Sequence, residues 1–233
     1  MGVGTTPSAL VSHGINTTVV EIDPIVAEYA EEHFSLLQNN PTVVEDATVY
    51  ASKTAETETR YNYIVHDVFT GGAEPVDLFT YEFLQDLHTM LQPNGVIAIN
   101  YAGDLSLPGP KAIVNTINKV FPSCRIFREY PTDDDLVAKS GTDFTNMVIF
   151  CKKSTEDILF RKAVEADLLR SYARQEFLMP QHEVDVTSFL GDTDAGMLFR
   201  NDTSTVTESH RTSAVGHWKI MRTILPPKIW QQW

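Results

Sequence analysis

The sequence predicts an α/β fold, an open sheet flanked by helices, on three observations. Over its first 151 residues, short β-branched runs alternate with helix-like segments. A glycine turn opens the chain and leads straight into a helix-like stretch. Acidic residues then close three successive predicted strands, the end of an open α/β sheet at which ligands bind.

The elements follow in order. Residues 17–22 (TTVVEI) are a β-branched run bounded by Gly14-Ile15-Asn16 and Asp23-Pro24, and Pro24 suits the first turn of a helix. There Ile25, Tyr29, Phe34 and Leu37 fall roughly on one face, with Glu28, Glu31 and Glu32 elsewhere. Residues 42–44 read as a short strand and 47–58 as a polar helix. Residues 61–67 (YNYIVHD) form the next strand, which ends in a carboxylate. A loop with two glycines and a proline covers 68–77, and 78–91 return to helix. Gln92-Pro93-Asn94-Gly95 is a turn, and 96–101 (VIAINY) a nearly continuous apolar strand, as expected where both faces are covered.

A helix at 110–121 and strands at 125–130 and 146–151 complete the alternation. The charged connection 131–143 holds Asp133-Asp134-Asp135, read as a solvated turn. After Lys153 the pattern changes. Residues 156–174 fit an amphipathic helix, 179–212 are polar without clear period, and 217–225 (HWKIMRTIL) look helical before Pro226-Pro227. Trp218, Trp230 and Trp233, the chain's only tryptophans, predict a C-terminal segment docked by its aromatics. The expected organisation is a domain over 1–153 and an extension over 154–233 docked on it.

Charge and composition restrict the function. Eighteen Lys and Arg against 31 Asp and Glu leave a net charge of −13, which argues against a surface that tracks nucleic-acid phosphates. No run of about 18 apolar residues is present to span a membrane. The first residues lack the basic region of a signal peptide. Cys124 and Cys151 are too few for a disulfide scaffold or a structural zinc site, so a reducing, cytoplasmic setting is the default expectation. The seven histidines are scattered, and His182-Glu183 with Asp185 lacks a convincing third ligand. No metal is expected.

The chemistry is concentrated near the start. Gly2-Val3-Gly4 before a helix lets backbone N–H groups approach a ligand closely. Glu21, 17 residues after Gly4, stands near the carboxyl end of the next strand, where its side chain can accept from both hydroxyls of a ribose. Asp46 closes the following strand and could accept from an adenine amino group; Asp67 closes the one after. Each acid has a plainer reading as a helix N-cap. Three acids behind one glycine loop fit a single site better. His66, beside Asp67, points to the opposite face of its strand and reads as packing or support.

These residues resemble a family. Gly2-Val3-Gly4, Val20-Glu21-Ile22-Asp23-Pro24, Val44-Glu45-Asp46-Ala47 and Ile64-Val65-His66-Asp67 look like the successive motifs of class I S-adenosylmethionine-dependent transferases. More narrowly they are similar to the spermidine/spermine synthase family and its methyltransferase-like eukaryotic relatives. The most telling piece is the Gly- and Pro-containing loop after Asp67, followed by Leu78-Phe79. The resemblance covers residues 1–151, and less securely His217-Trp218-Lys219-Ile220-Met221-Arg222.

The resemblance implies a Rossmann-like class I methyltransferase sheet with a helical or irregular C-terminal extension. The donor would be S-adenosylmethionine or its decarboxylated form, without a metal. Gly2 and Gly4 would line its methionine and ribose part, Glu21 would hold the ribose hydroxyls, and Asp46, with Ala47 beside it, would meet the adenine amine. Asp67 matches the catalytic aspartate, which helps deprotonate and orient the attacking amine. The acceptor would be a small-molecule amine or a protein amine, and a homodimer is compatible with all of this.

Two departures bear on the activity. Thr70 stands where polyamine synthases carry a second aspartate, so methyl transfer to nitrogen competes with aminopropyl transfer as the expected reaction. In this fold the glycine loop also follows a central first strand, whereas here it begins at residue 2, so the sheet is expected to lack that strand and the chain to be a fragment. Two other readings are a non-catalytic interaction module and an NAD-dependent oxidoreductase. The latter is disfavoured by Pro7 in place of the third glycine of GxGxxG.

Overall fold

The computed structural model describes residues 1–68, 75–186 and 196–207, together with 214, 215, 218, 226 and 228. Along the chain the elements are α1 (Thr5–Ser12), β1 (Val20–Glu21), α2 (Pro24–Phe34), β2 (Val43–Val44), α3 (Ala47–Ala55) and β3 (Tyr61–His66). A 3₁₀ turn (Val76–Phe79) precedes α4 (Tyr81–Met90), β4 (Leu91–Asp104), α5 (Pro108–Val120), β5 (Ser123–Arg128), α6 (Asp134–Ser140) and β6 (Phe144–Lys152). The last are α7 (Glu165–Leu168), α8 (Tyr172–Phe177) and β7 (His182–Val184). The chain divides into two units, Met1–Arg60 with Leu159–Met179, and Tyr61–Ile158 with Pro180–Trp233.

In the first unit β1 and β2 pair in parallel, Val20 opposite Val43 and Glu21 opposite Val44. The β-branched run at 17–22 thus forms a shorter ladder than its composition predicts. Among the described residues β1 has a strand partner on one side only. The side chains of Asn39 and Asn40 take up backbone groups that a longer ladder would satisfy. Asn39 accepts from Thr17 N–H at 2.9 Å and donates to Ile15 O at 2.9 Å, while Asn40 donates to Thr17 O at 2.9 Å. Helix α2 begins as predicted, with Pro24 in its first turn and the Asp23 carboxylate accepting from Ile25 N–H at 2.8 Å. It buries Ala27 and Ala30, while Ile25 and Tyr29 are 49% and 51% exposed.

The helix expected over 156–174 does not form. Leu169 and Arg170 adopt left-handed conformations, φ 47° and 58°, and separate the short helices α7 and α8. Side chains with a Cβ rarely take two such residues in a row within a helix. Asp167 closes α7 from its own end: it accepts from Val164 N–H at 2.8 Å and twice from Arg161 at 2.6 Å. The Arg161 hydrogen bonds hold its carboxyl well below the usual carboxylate range.

The second unit contains a sheet in the order β3-β4-β6-β5-β7. Strands β3 and β4 run parallel, and the other pairings are antiparallel. The turn expected at 92–95 lies within β4, where the register shifts between Tyr61↔Leu91 and Tyr63↔Val96. One face is dry: Ile99, Ile149 and Ile126 stand side by side across β4, β6 and β5. The amphipathic helices α4 and α5 supply Leu84, Ile113 and Ile117 to the same unit's core. Leu198 is buried with them; its N–H donates to Thr116 Oγ1 at 2.9 Å and its carbonyl accepts from Tyr81 N–H at 2.8 Å.

Two further expectations are corrected here. Residues 134–140 are helical, with Asp134 and Asp135 in the first turn of α6, where the free N–H groups favour anions. Cys124 and Cys151 stand opposite each other on β5 and β6, Cα atoms 4.1 Å apart, and form a disulfide. Two cysteines make no scaffold, but antiparallel register brings them face to face. The helix expected at 217–225, apart from Trp218, lies outside the described residues, as do Trp230 and Trp233. Among the described residues no helix is long and apolar enough to cross a membrane, and no cluster of His, Cys, Asp or Glu is placed to hold a metal ion.

Candidate functional site

The glycine turn has the conformation that its residues predict. Gly2 and Gly4 have φ of 55° and 82°, and Gly4 caps the start of α1. A Cβ on Gly4 would collide with Leu36 Cδ1, so only glycine fits without rearrangement. The Met1 amino group donates to Glu21 Oε2 at 2.6 Å, and Glu21 Oε1 accepts from Asp23 N–H at 3.2 Å. The turn and Glu21 are therefore neighbours, as the spacing implied. Glu21 is partly buried.

Asp46 stands two residues beyond Val44, at the carboxyl end of the strand next to Glu21. It caps α3, which Ala47 opens, and accepts from Thr48 Oγ1 at 2.6 Å and Thr48 N–H at 2.7 Å. The Thr48 hydroxyl, with the Thr48 N–H, holds this carboxyl below the usual carboxylate range. Gly2, Gly4, Glu21, Asp46 and Ala47 all belong to the first unit.

Asp67 belongs to the second unit and follows the last residue of β3. His66 pairs with Ile99, so Asp67 and Asn100 occupy the next row of the parallel pair. Asn100 Nδ2 donates to Asp67 Oδ1 at 2.9 Å. His66 turns the other way, as alternation predicted, and packs against Phe79 and Phe83 with Nε2 3.0 Å from Leu78 O. Burial pushes the His66 imidazole pKa down, so it sits neutral in that core. Thr70 and the loop around it lie outside the described residues.

Sequence reasoning missed two polar groups on β4. One is Asn100, whose signal was a lone amide within VIAINY. The other is Asp104, four residues further on, which is buried and accepts from Ser106 N–H at 2.9 Å and Ser106 Oγ at 2.6 Å. It also accepts from Thr142 Oγ1 and Asp143 N–H, both at 2.9 Å. Burial opposes its ionisation, but these bonds outweigh it and hold the carboxyl below its ordinary value. Arg128 meets Asp143 through two bonds of 2.6 Å beside it.

Helices alternating with parallel strands, and a glycine turn before the first helix, are the architecture of Rossmann-like folds. The crystal structure of a probable spermidine synthase from Corynebacterium glutamicum superposes with a TM-score of 0.62, at 23% identity, covering 87% of this chain and 71% of that one. The crystal structure of human methyltransferase-like protein 13 in complex with SAH superposes with a TM-score of 0.52, at 22% identity, covering 79% of this chain and 82% of that one. In sequence the chain is 48% identical to an N-terminal histidine N-methyltransferase of Emericella nidulans, over 100% of this chain and 43% of that protein. The chain thus spans less than half the length of that relative. No protein-family model matches it. The chain is thus similar in sequence to that methyltransferase, and its fold is that of the spermidine synthase and methyltransferase-like structures.

Proposed function

We propose that this chain provides the donor-binding and acceptor-handling residues of an S-adenosylmethionine-dependent N-methyltransferase whose acceptor is the N-terminal histidine of a polypeptide. The observation that carries this reading is the 48% identity, along the whole chain, to a protein named for that activity. The residues present suit such a donor. Gly4 holds the turn before α1 in a left-handed conformation, and Glu21 is a partly buried carboxylate that can accept from ribose hydroxyls. Asp46 and Ala47 would face the adenine, although the Thr48 bonds already use part of the Asp46 carboxylate.

The donor, when bound, supplies a methyl carbon on a positive sulfur. A nitrogen lone pair forms the new N–C bond as the C–S bond breaks, leaving a neutral thioether, and one proton must leave the nitrogen. Asp67 accepts that N–H, which orients the lone pair and takes the proton as charge develops. Alignment of nitrogen, carbon and sulfur supplies much of the rate.

Label from methyl-labelled S-adenosylmethionine should enter a peptide that begins with histidine and not the same peptide with its histidine moved inward. Decarboxylated donor with a diamine should give no product, since Thr70 replaces the second carboxylate. Aminopropyl transfer without methyl transfer would overturn the reading.

A further inference from the structure

Asn100 interrupts an apolar strand. Its neighbours Ile97, Ile99 and Tyr101 are buried on the dry face of the sheet, and Asn100 points to the other face. The amide is part-buried and takes a polar partner. The partner is Asp67, 33 residues earlier and in the same row of the parallel β3–β4 pair. The amide presents its NH₂, since Nδ2 donates to Asp67 Oδ1. Among the described residues no Lys, Arg or His forms an ion pair with Asp67. His66 faces the opposite side of the strand, and Asp104, further along β4, is engaged by Ser106, Thr142 and Asp143.

We infer that Asn100 is the positioning residue of Asp67: its amide fixes Oδ1 and sets the carboxylate plane so that Oδ2 meets the acceptor nitrogen. A neutral donor suits this task. A cation in its place would lower the basicity of the carboxylate that must take a proton. The inference rests on the reading of Asp67 as the acceptor-handling group. It adds to that reading the residue that holds the group in line.

The test compares Asn100→Ala, Asn100→Asp and Asp67→Asn, each assayed with S-adenosylmethionine and a peptide beginning with histidine. Asn100→Ala should lower kcat by about 10–100-fold while the Kd for S-adenosylmethionine stays within about twofold. The nearly isosteric Asn100→Asp places two carboxylates together, so the acidic limb of its pH–rate profile should move up by about one pH unit or more. A purely structural amide would lower Tm and leave that limb in place. If Asp67→Asn abolishes transfer while both Asn100 variants keep the wild-type kcat and pH profile, the positioning role is overturned and the Asp67 reading survives. If Asp67→Asn retains transfer, both fall.

Discussion

In the second unit Ile99, Ile149 and Ile126 line one row of the sheet, each at most 1% exposed, whereas in the first unit Ile25 and Tyr29 of α2 are about half exposed. The α2 set was legible as apolar residues sharing a face, and Ile99 as part of a nearly continuous apolar strand. Periodicity tells which side chains share a face, and nothing about whether another element covers that face. Strand length follows the same division. β4 and β6 are flanked on both sides and extend over many residues, while β1 and β2 pair over two residues each. Where the ladder is short, side-chain amides and helix caps do more of the holding.

The largest expected effect tests this contrast directly. Ile99→Ala should destabilise the protein by about 2–5 kcal/mol in urea unfolding, because the vacated space lies between packed strands and helices. Ile25→Ala should change stability by no more than about 0.5 kcal/mol. Equal losses would mean that the outer face of α2 is covered in solution.

The buried carboxylates sharpen the comparison. Asp104→Asn should cost about 1–3 kcal/mol, since the amide turns an NH₂ toward hydrogen bonds that the carboxylate accepts. Its folded-state pKa is depressed, so its contribution is present above the unfolded value near 4 and is lost as pH falls through the folded value. Urea midpoints measured from pH 6 down to pH 3 should therefore fall less steeply in Asp104→Asn than in wild type. An unchanged slope would contradict the assignment. Asp46→Ala should remove a helix cap in the first unit, about 1 kcal/mol, seen as faster amide exchange in α3. Slower or unchanged exchange would show that Thr48 holds the helix start alone.

The same contrast explains what the sequence made legible. The strand–helix alternation, the glycine turn, the proximity of Glu21 to it and the opposite orientations of His66 and Asp67 all follow from local geometry, and all could be read in advance. The features that were missed depend on register between distant segments. Asn100 reaches Asp67 because His66 pairs with Ile99, and Cys124 meets Cys151 because β5 and β6 are antiparallel. The helix expected at 156–174 failed for a different reason: two consecutive left-handed residues, Leu169 and Arg170, carry no glycine to announce them. Asp46 shows that a cap and a candidate ligand contact can be written with the same residue, so sequence pattern alone does not separate them.

We propose separate roles for two carboxylates: Glu21 in holding the donor and Asp67 in taking the acceptor's proton. Calorimetric titration of S-adenosylmethionine into wild type, Glu21→Gln and Asp67→Asn, with transfer to a peptide beginning with histidine measured on the same samples, tests that division most directly. Glu21→Gln should weaken binding by about tenfold, the loss of a charge-assisted hydrogen bond. Asp67→Asn should bind as wild type does while transfer falls by about 100-fold or more. Loss of binding in Asp67→Asn, or undiminished binding in Glu21→Gln, would contradict it.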